Sequence, residues 1–174
     1  MNKLVLIITC LLLSSNYTIA QNLTLGQVLE VKKKDLGNAE EYLSLKGWEF
    51  LEASEPVNNN LGSATFTYNK DNMSSVAESF LTFYYDKYNL TARVKVQINK
   101  ISKYNEYLNT IRGYGCKMLS SEVKNGRIIK VYRGATMTFV IRSGTSENFF
   151  NEETAIWTIF IVSNDDYDMN FGDE

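Results

Sequence analysis

The chain contains no histidine. That absence excludes Ser-His-Asp and Cys-His catalysis, HExxH metal sites and imidazole proton shuttles, all of which need that ring. Proline occurs once, at Pro56, and no low-complexity linker divides the chain. Cysteine occurs twice, at Cys10 and Cys116. Cys10 lies in an N-terminal apolar run, so a chain processed after that run keeps one thiol and forms no internal disulfide. Cys116 follows a glycine stop and opens an apolar strand, the setting of a buried inert thiol rather than a nucleophile. No Gly-x-Gly-x-x-Gly and no Walker sequence is present, so nucleotide binding by those routes has no basis. Long apolar runs are also missing beyond the N-terminus. The longest, Ala155 to Val162, has strand length and is interrupted by Thr158.

What is present begins with a leader. Lys3 supplies a positive charge, Leu4 to Leu13 is an apolar run too short to span a bilayer, and Thr18-Ile19-Ala20 ends in small residues. A signal peptide over residues 1–20, cleaved before Gln21, is expected, with a secreted or periplasmic destination. Lipidation at Cys10 fits less well, because Thr9 is a poor residue at that junction. Removing Lys3 leaves 17 basic residues against 20 acids, a net charge of −3 (17 − 20). A duplex nucleic acid partner would want a dense basic face, so none is expected. No transmembrane segment is expected after the leader is removed.

One stretch occurs twice. Glu41-Tyr42-Leu43 returns sixty-five positions later as Glu106-Tyr107-Leu108, and each copy is followed by a glycine and an aromatic residue. Thr24-Leu25-Gly26-Gln27 reads as a capping box, with Leu23 and Val28 placed as a hydrophobic staple. Asn38-Ala39-Glu40-Glu41 is a second capping signal, and Gly47 is the expected stop. Strands then follow from Trp48, over Ala64–Tyr68 and over Phe80–Tyr85. In the next, Ala92, Val94, Val96 and Ile98 alternate with Arg93, Lys95, Gln97 and Asn99. Ile101, Tyr104, Leu108 and Ile111 recur at helical spacing, with Ser102 as cap and Gly113 as stop. Four more strands follow: Cys116–Ser121, then Ile128–Arg133 after the hairpin signal Asn125-Gly126, then Thr136–Arg142 and Ala155–Val162. The largely apolar character of the last suggests burial on both faces or a central place.

The expected fold is therefore α+β: two tandem α-β-β-β-β repeats, residues 21–100 and 101–163, forming an antiparallel sheet with helices packed on one face. Residues 164–174 read as an acidic C-terminal tail. This layout resembles the β-lactamase inhibitor protein family, although that family's disulfide in each repeat has no counterpart here. Glu41-Tyr42-Leu43…Gly47-Trp48 and Phe160-Ile161-Val162-Ser163-Asn164-Asp165-Asp166-Tyr167-Asp168 are similar to small secreted proteins of Bacteroidetes. A shared layout implies a fold and leaves activity open.

Chemistry-bearing residues are few. The adjacent acids Glu40-Glu41 and Glu152-Glu153 do not converge on one point and read as solvated caps and loops. Asp166, Asp168 and Asn170 offer alternate oxygens in the manner of a calcium loop. Phe171 stands at its sixth position in place of glycine, and the twelfth position falls past Glu174. A flexible solvated tail is the preferred reading, and no cofactor is called for. Asn22-Leu23-Thr24 and Asn89-Leu90-Thr91 match the glycosylation pattern and are read as chance.

Alternation also assigns faces. Val94, Val96 and Ile98 toward the helices put Arg93, Lys95 and Gln97 on the opposite side. Phe66 inward puts Thr65 and Thr67 outward, and Phe83 inward puts Thr82 and Tyr84 outward. Ile129 and Val131 inward would leave Lys130 and Tyr132 outward, and Phe139 and Ile141 inward leave Thr138 and Arg142 outward. The expected binding residues are thus Tyr84, Arg93, Lys95, Lys130, Tyr132 and Arg142, because Tyr and Arg anchor interfaces. The expected function is an exported, non-enzymatic binding module, inhibitor-like, immunity-like or an envelope interaction protein, that uses the open sheet face or the adjacent loops Asn69–Ser75 and Ser143–Glu153. Its partner would be a protein or an envelope polymer. Two alternatives stand beside it: an enzyme using carboxylates or tyrosines, and a structural envelope protein with no specific ligand.

Overall fold

A computed structural model describes residues 23–58, 60–70, 77–88, 91–147 and 153–171. The leader and the junction before Gln21 lie outside the described residues, as does the glycosylation-like Asn89. The elements are α1 (Leu25–Lys32), α2 (Leu36–Ser44), β1 (Trp48–Ser54), β2 (Gly62–Lys70), β3 (Ala77–Tyr85), β4 (Thr91–Ile98), α3 (Ile101–Gly113), β5 (Lys117–Lys124), β6 (Arg127–Arg133), β7 (Met137–Glu147), β8 (Glu153–Ser163) and α4 (Asn164–Asn170). The class is α+β, and the eight strands form one antiparallel sheet in the order β1-β2-β3-β4-β8-β7-β6-β5. Two four-stranded meanders thus join where β4 meets β8. No helix among the described residues is long and apolar enough to cross a membrane.

Local chemistry explains the element boundaries. The Thr24 hydroxyl accepts from the Gln27 amide while the Gln27 side chain accepts from the Thr24 amide, which completes the capping box. Leu23 and Val28 are both buried beside it. The second helix starts earlier than Asn38: Asp35 is its N-cap and accepts from the Asn38 amide at 2.9 Å. Gly47 takes a positive φ of 78° just before β1, a conformation open to glycine at little cost. In the second half Gly113 is still helical, and Gly115 takes the corresponding φ of 76°. Ser102 is not the cap of α3; Lys100 occupies that position with no side-chain cap. The Asn125-Gly126 turn carries positive φ at both residues, as a type I′ hairpin needs.

One face of the sheet, here the inner face, carries the main core. Phe66, Leu81, Phe83, Val94, Val96, Ile98, Ile159, Ile161, Phe139 and Ile141 lie there, against Val28, Val31, Leu43, Tyr107 and Ile111 of α1, α2 and α3. Each such side chain contributes about 1.5–3 kcal/mol on burial. Tyr107 is fully buried, and its hydroxyl donates to the Leu23 carbonyl at 2.5 Å, tying α3 to the residue before the α1 N-cap. Tyr104 stacks on Trp157 of β8 at 5.1 Å between ring centroids.

The helices are not all on that side. Residues 164–170, expected as a flexible tail, form α4, capped by Ser163 and laid against the opposite, outer face. There Phe171 joins Val131, Val140 and Val162 in a second apolar cluster. Strand β8 is therefore central, and toward its end both faces are covered: Ile159 and Ile161 are buried on the inner face and Val162 on the outer. The strands follow the expected order, whereas the helices do not correspond one for one. Two precede β1, one precedes β5, and α4 follows only β8.

Candidate functional site

The register fixes which side chains share the outer face. One cross-strand row runs Thr65, Thr82, Lys95, Phe160, Val140 and Val131. A neighbouring row runs Thr67, Phe80, Gln97, Thr158, Arg142 and Ile129. Tyr84 pairs with Arg93 on the same side. Four of the six expected residues, Tyr84, Arg93, Lys95 and Arg142, therefore lie on this face.

Lys130 and Tyr132 do not. Lys130 pairs with Ile141 and Tyr132 with Phe139, which puts both on the inner, helix-covered face. Tyr132 is 3% exposed, and its hydroxyl accepts from Arg112 at 3.3 Å. Ile129 and Val131 belong to the outer cluster under α4. Alternation along Arg127–Arg133 places Ile129 and Val131 inward only if a single face of the sheet is dry. Here both are covered, so an apolar residue on either side of the strand finds a partner, and periodicity no longer says which side is in.

The outer face is also less open than a plain solvated surface. Thr67, Thr82 and Thr138 are buried on it. For Thr138 one partner is visible, since its hydroxyl donates to the Asn164 side-chain oxygen at 2.8 Å. Arg93 is committed: its Nε and Nη2 reach the two carboxylate oxygens of Asp166 at 2.7 Å each, and its guanidinium sits 4.9 Å from the Phe171 ring centroid. Arg133 makes a second two-pronged pair with Asp168, at 2.6 and 2.8 Å. These pairs, with Phe171, pin α4 to the sheet.

The calcium candidates are therefore occupied. Asp166 is engaged by Arg93 and by the Asn170 side chain, and Asp168 by Arg133. The Arg133 guanidinium holds the Asp168 carboxyl below the usual carboxylate range. Among the described residues no group of three or more acids or cysteines gathers as a metal site. Burial pushes the Cys116 thiol up, away from the thiolate form.

Beyond α4, toward the β5–β6 hairpin, the same face opens into a groove of about 480 Å³ lined by Lys124, Asn125, Arg127, Ile129 and Arg142. Arg127 lies across Gly144, where an added methyl would stand 3.3 Å from its Cγ. Arg142 stacks on Phe160 at 4.9 Å, and Lys95, opposite Phe160 in the sheet, lies over Tyr84 at 5.8 Å. Three cations thus surround an aliphatic floor, and a line of cation–aromatic contacts leads away from them. Sequence reasoning named Arg142 and missed Lys124, Arg127 and Ile129. The Asn-Gly turn was the available signal, because a two-residue loop places Lys124 directly opposite Arg127.

No protein-family model matches the chain, and neither the curated proteins nor the solved structures contain a significant match to it.

Proposed function

We propose that this protein is an exported, non-enzymatic binding module, and that its outer-face groove takes an acidic segment of a partner protein. One observation carries the reading: Lys124, Arg127 and Arg142 converge around Ile129 on a chain whose net charge is −2. Cations gathered against the overall charge mark a place where an opposite charge is attracted and oriented. The apolar floor and the nearby Phe160 favour a peptide over a sugar polymer, because a peptide brings apolar side chains beside its carboxylates. Glu122, opposite Ile129 across β5–β6, sets an acid at the rim and restricts where the ligand charge can lie. Export rests on the leader, and N-terminal sequencing of the secreted protein is expected to begin at Gln21. A chain still carrying the leader, or lipidated at Cys10, would overturn that part.

The binding test uses a fluorescein-labelled oligoglutamate peptide interspersed with leucine, followed by anisotropy, with an oligolysine peptide as control. The acidic peptide should bind, and binding should weaken as salt rises. R127E/R142E should abolish it while leaving the circular dichroism spectrum and melting profile of the fold. Equal binding by the folded variant would refute the groove assignment.

A further inference from the structure

We infer that the two open edges of the sheet recognise one another, so that a second copy of this chain adds head to tail through β1 and β5. The sheet does not close: β1 ends it on one side and β5 on the other. Every residue of β5 is exposed, and so are all of β1 except Trp48. The exposed residues include large apolar side chains. On β5 these are Met118 at 56%, Leu119 at 56% and Val123 at 75%, and on β1 Phe50 at 58%. Edge strands of this kind present unpaired backbone N–H and C=O groups and are templates for another strand.

Strand parity makes the addition geometrically simple. Eight antiparallel strands leave β1 and β5 running in opposite directions. A copy displaced sideways in the sheet plane therefore brings its β1 antiparallel to β5 of its neighbour, with inner faces on the same side. Such a contact is heterologous and leaves one edge open at each end.

Charge selects this pairing over the symmetric ones. β1 carries Glu49 and Glu52 and no cation. β5 carries Lys117 and Lys124 against Glu122, and β6 behind it adds Arg127 and Lys130. Charged residues and bulges are the usual guards of a sheet edge, and both are present here, with bulges beside Leu51 and Leu119. The net charges guard against like edges: β1 against β1 brings glutamates together, and β5 against β5 brings together two strands in which the lysines outnumber Glu122. Between β1 and β5 the net signs are opposite, so the same residues attract. Lys124 belongs both to β5 and to the groove lining, whereas β1 takes no part in the groove, so variants of β1 distinguish the two readings.

The experiment is sedimentation velocity and light scattering on the purified protein from roughly 1 µM to 1 mM, a span that captures a weak contact. The weight-average mass should rise with concentration without levelling at a dimer. E49K/E52K and K117E/K124E should each weaken association by at least about tenfold, the equivalent of one decade in Kd. Mixed in equal amounts, the two variants should associate again, because the reversed β1 of one meets the reversed β5 of the other. V123E, at a side chain that is mostly solvent-exposed in the single copy, gives an edge variant that keeps the lysines and the fold. It should also weaken association. Binding of the acidic peptide should be unaffected in E49K/E52K, which separates this inference from the groove. A wild-type protein that stays monomeric at the top concentration would overturn the inference. So would a closed dimer, or a variant mixture that stays apart.

Discussion

Replacing Tyr107 by phenylalanine isolates one hydrogen bond at the centre of the molecule. Tyr107 is fully buried in α3, and its hydroxyl donates to the Leu23 carbonyl at 2.5 Å, where Leu23 is itself 3% exposed. Phenylalanine keeps the ring and its packing and removes only the donor. The carbonyl is then left in an apolar setting with neither tyrosine nor bulk water, a loss of about 1–3 kcal/mol. For a chain of this size each kcal/mol moves the midpoint by about 2–4 °C, so a Tm lower by roughly 2–12 °C is expected. Urea unfolding should give the same loss with an unchanged m-value. The pH dependence has a definite sign. Burial, with Glu106 as a second contributor, pushes the phenol well above its ordinary value. A raised folded pKa means that the neutral phenol's contribution is fully present below the unfolded value of about 10 and is lost as pH rises beyond it. The gap between wild type and Y107F should therefore be flat from neutral pH to about pH 10 and narrow above it. A gap under about 0.5 kcal/mol at neutral pH, or one that widens in alkali, would refute the assignment of this bond.

Four further outcomes are expected. Leu43→Ala, at a fully buried α2 position, should lose about 2–5 kcal/mol in urea unfolding. Gly62→Ala should destabilise by about 1–3 kcal/mol, because its new methyl would stand 2.8 Å from the Ser54 carbonyl and 2.7 Å from the Tyr85 ring; a neutral result would show that the β1–β2 connection yields. Phe171→Ala should release α4, seen as faster amide exchange over Asn164–Asn170 with β2 and β3 unchanged, at a stability loss of about 3 kcal/mol. Arg133→Ala should raise the Asp168 pKa toward the ordinary carboxylate value in a carbon-detected NMR titration, since Arg133 is the first cause of its depression. The favourable contribution of that pair is present above the unfolded carboxylate value and fades as pH falls through the folded one. An Asp168 titration unmoved by R133A would show that the pair does not form in solution.

The eight strands, the capping box at Thr24, the hairpin at Asn125-Gly126 and the inward set Val94, Val96 and Ile98 are legible along the chain alone. Each rests on local chemistry: a period of two, a side chain reaching its own backbone, or a turn that demands positive φ. Local signals also misplaced what they could not distinguish. Asn38 and Ser102 had the residue types of caps, yet Asp35, whose carboxylate accepts from the Asn38 amide, and Lys100, which makes no side-chain cap bond, hold those positions. Three features depend on contacts between distant parts of the chain. The joining of β4 to β8 is a pairing between halves that no short-range pattern records. The conversion of an acidic tail into α4 depends on Arg93 and Arg133, whose partners Asp166 and Asp168 lie 73 and 35 residues away in the chain. And once α4 covers the outer face, Ile129 and Val131 can be buried there, so Lys130 and Tyr132 turn to the inner face. A strand between two covered faces has no wet side to betray its orientation, and only the register with its neighbours supplies it.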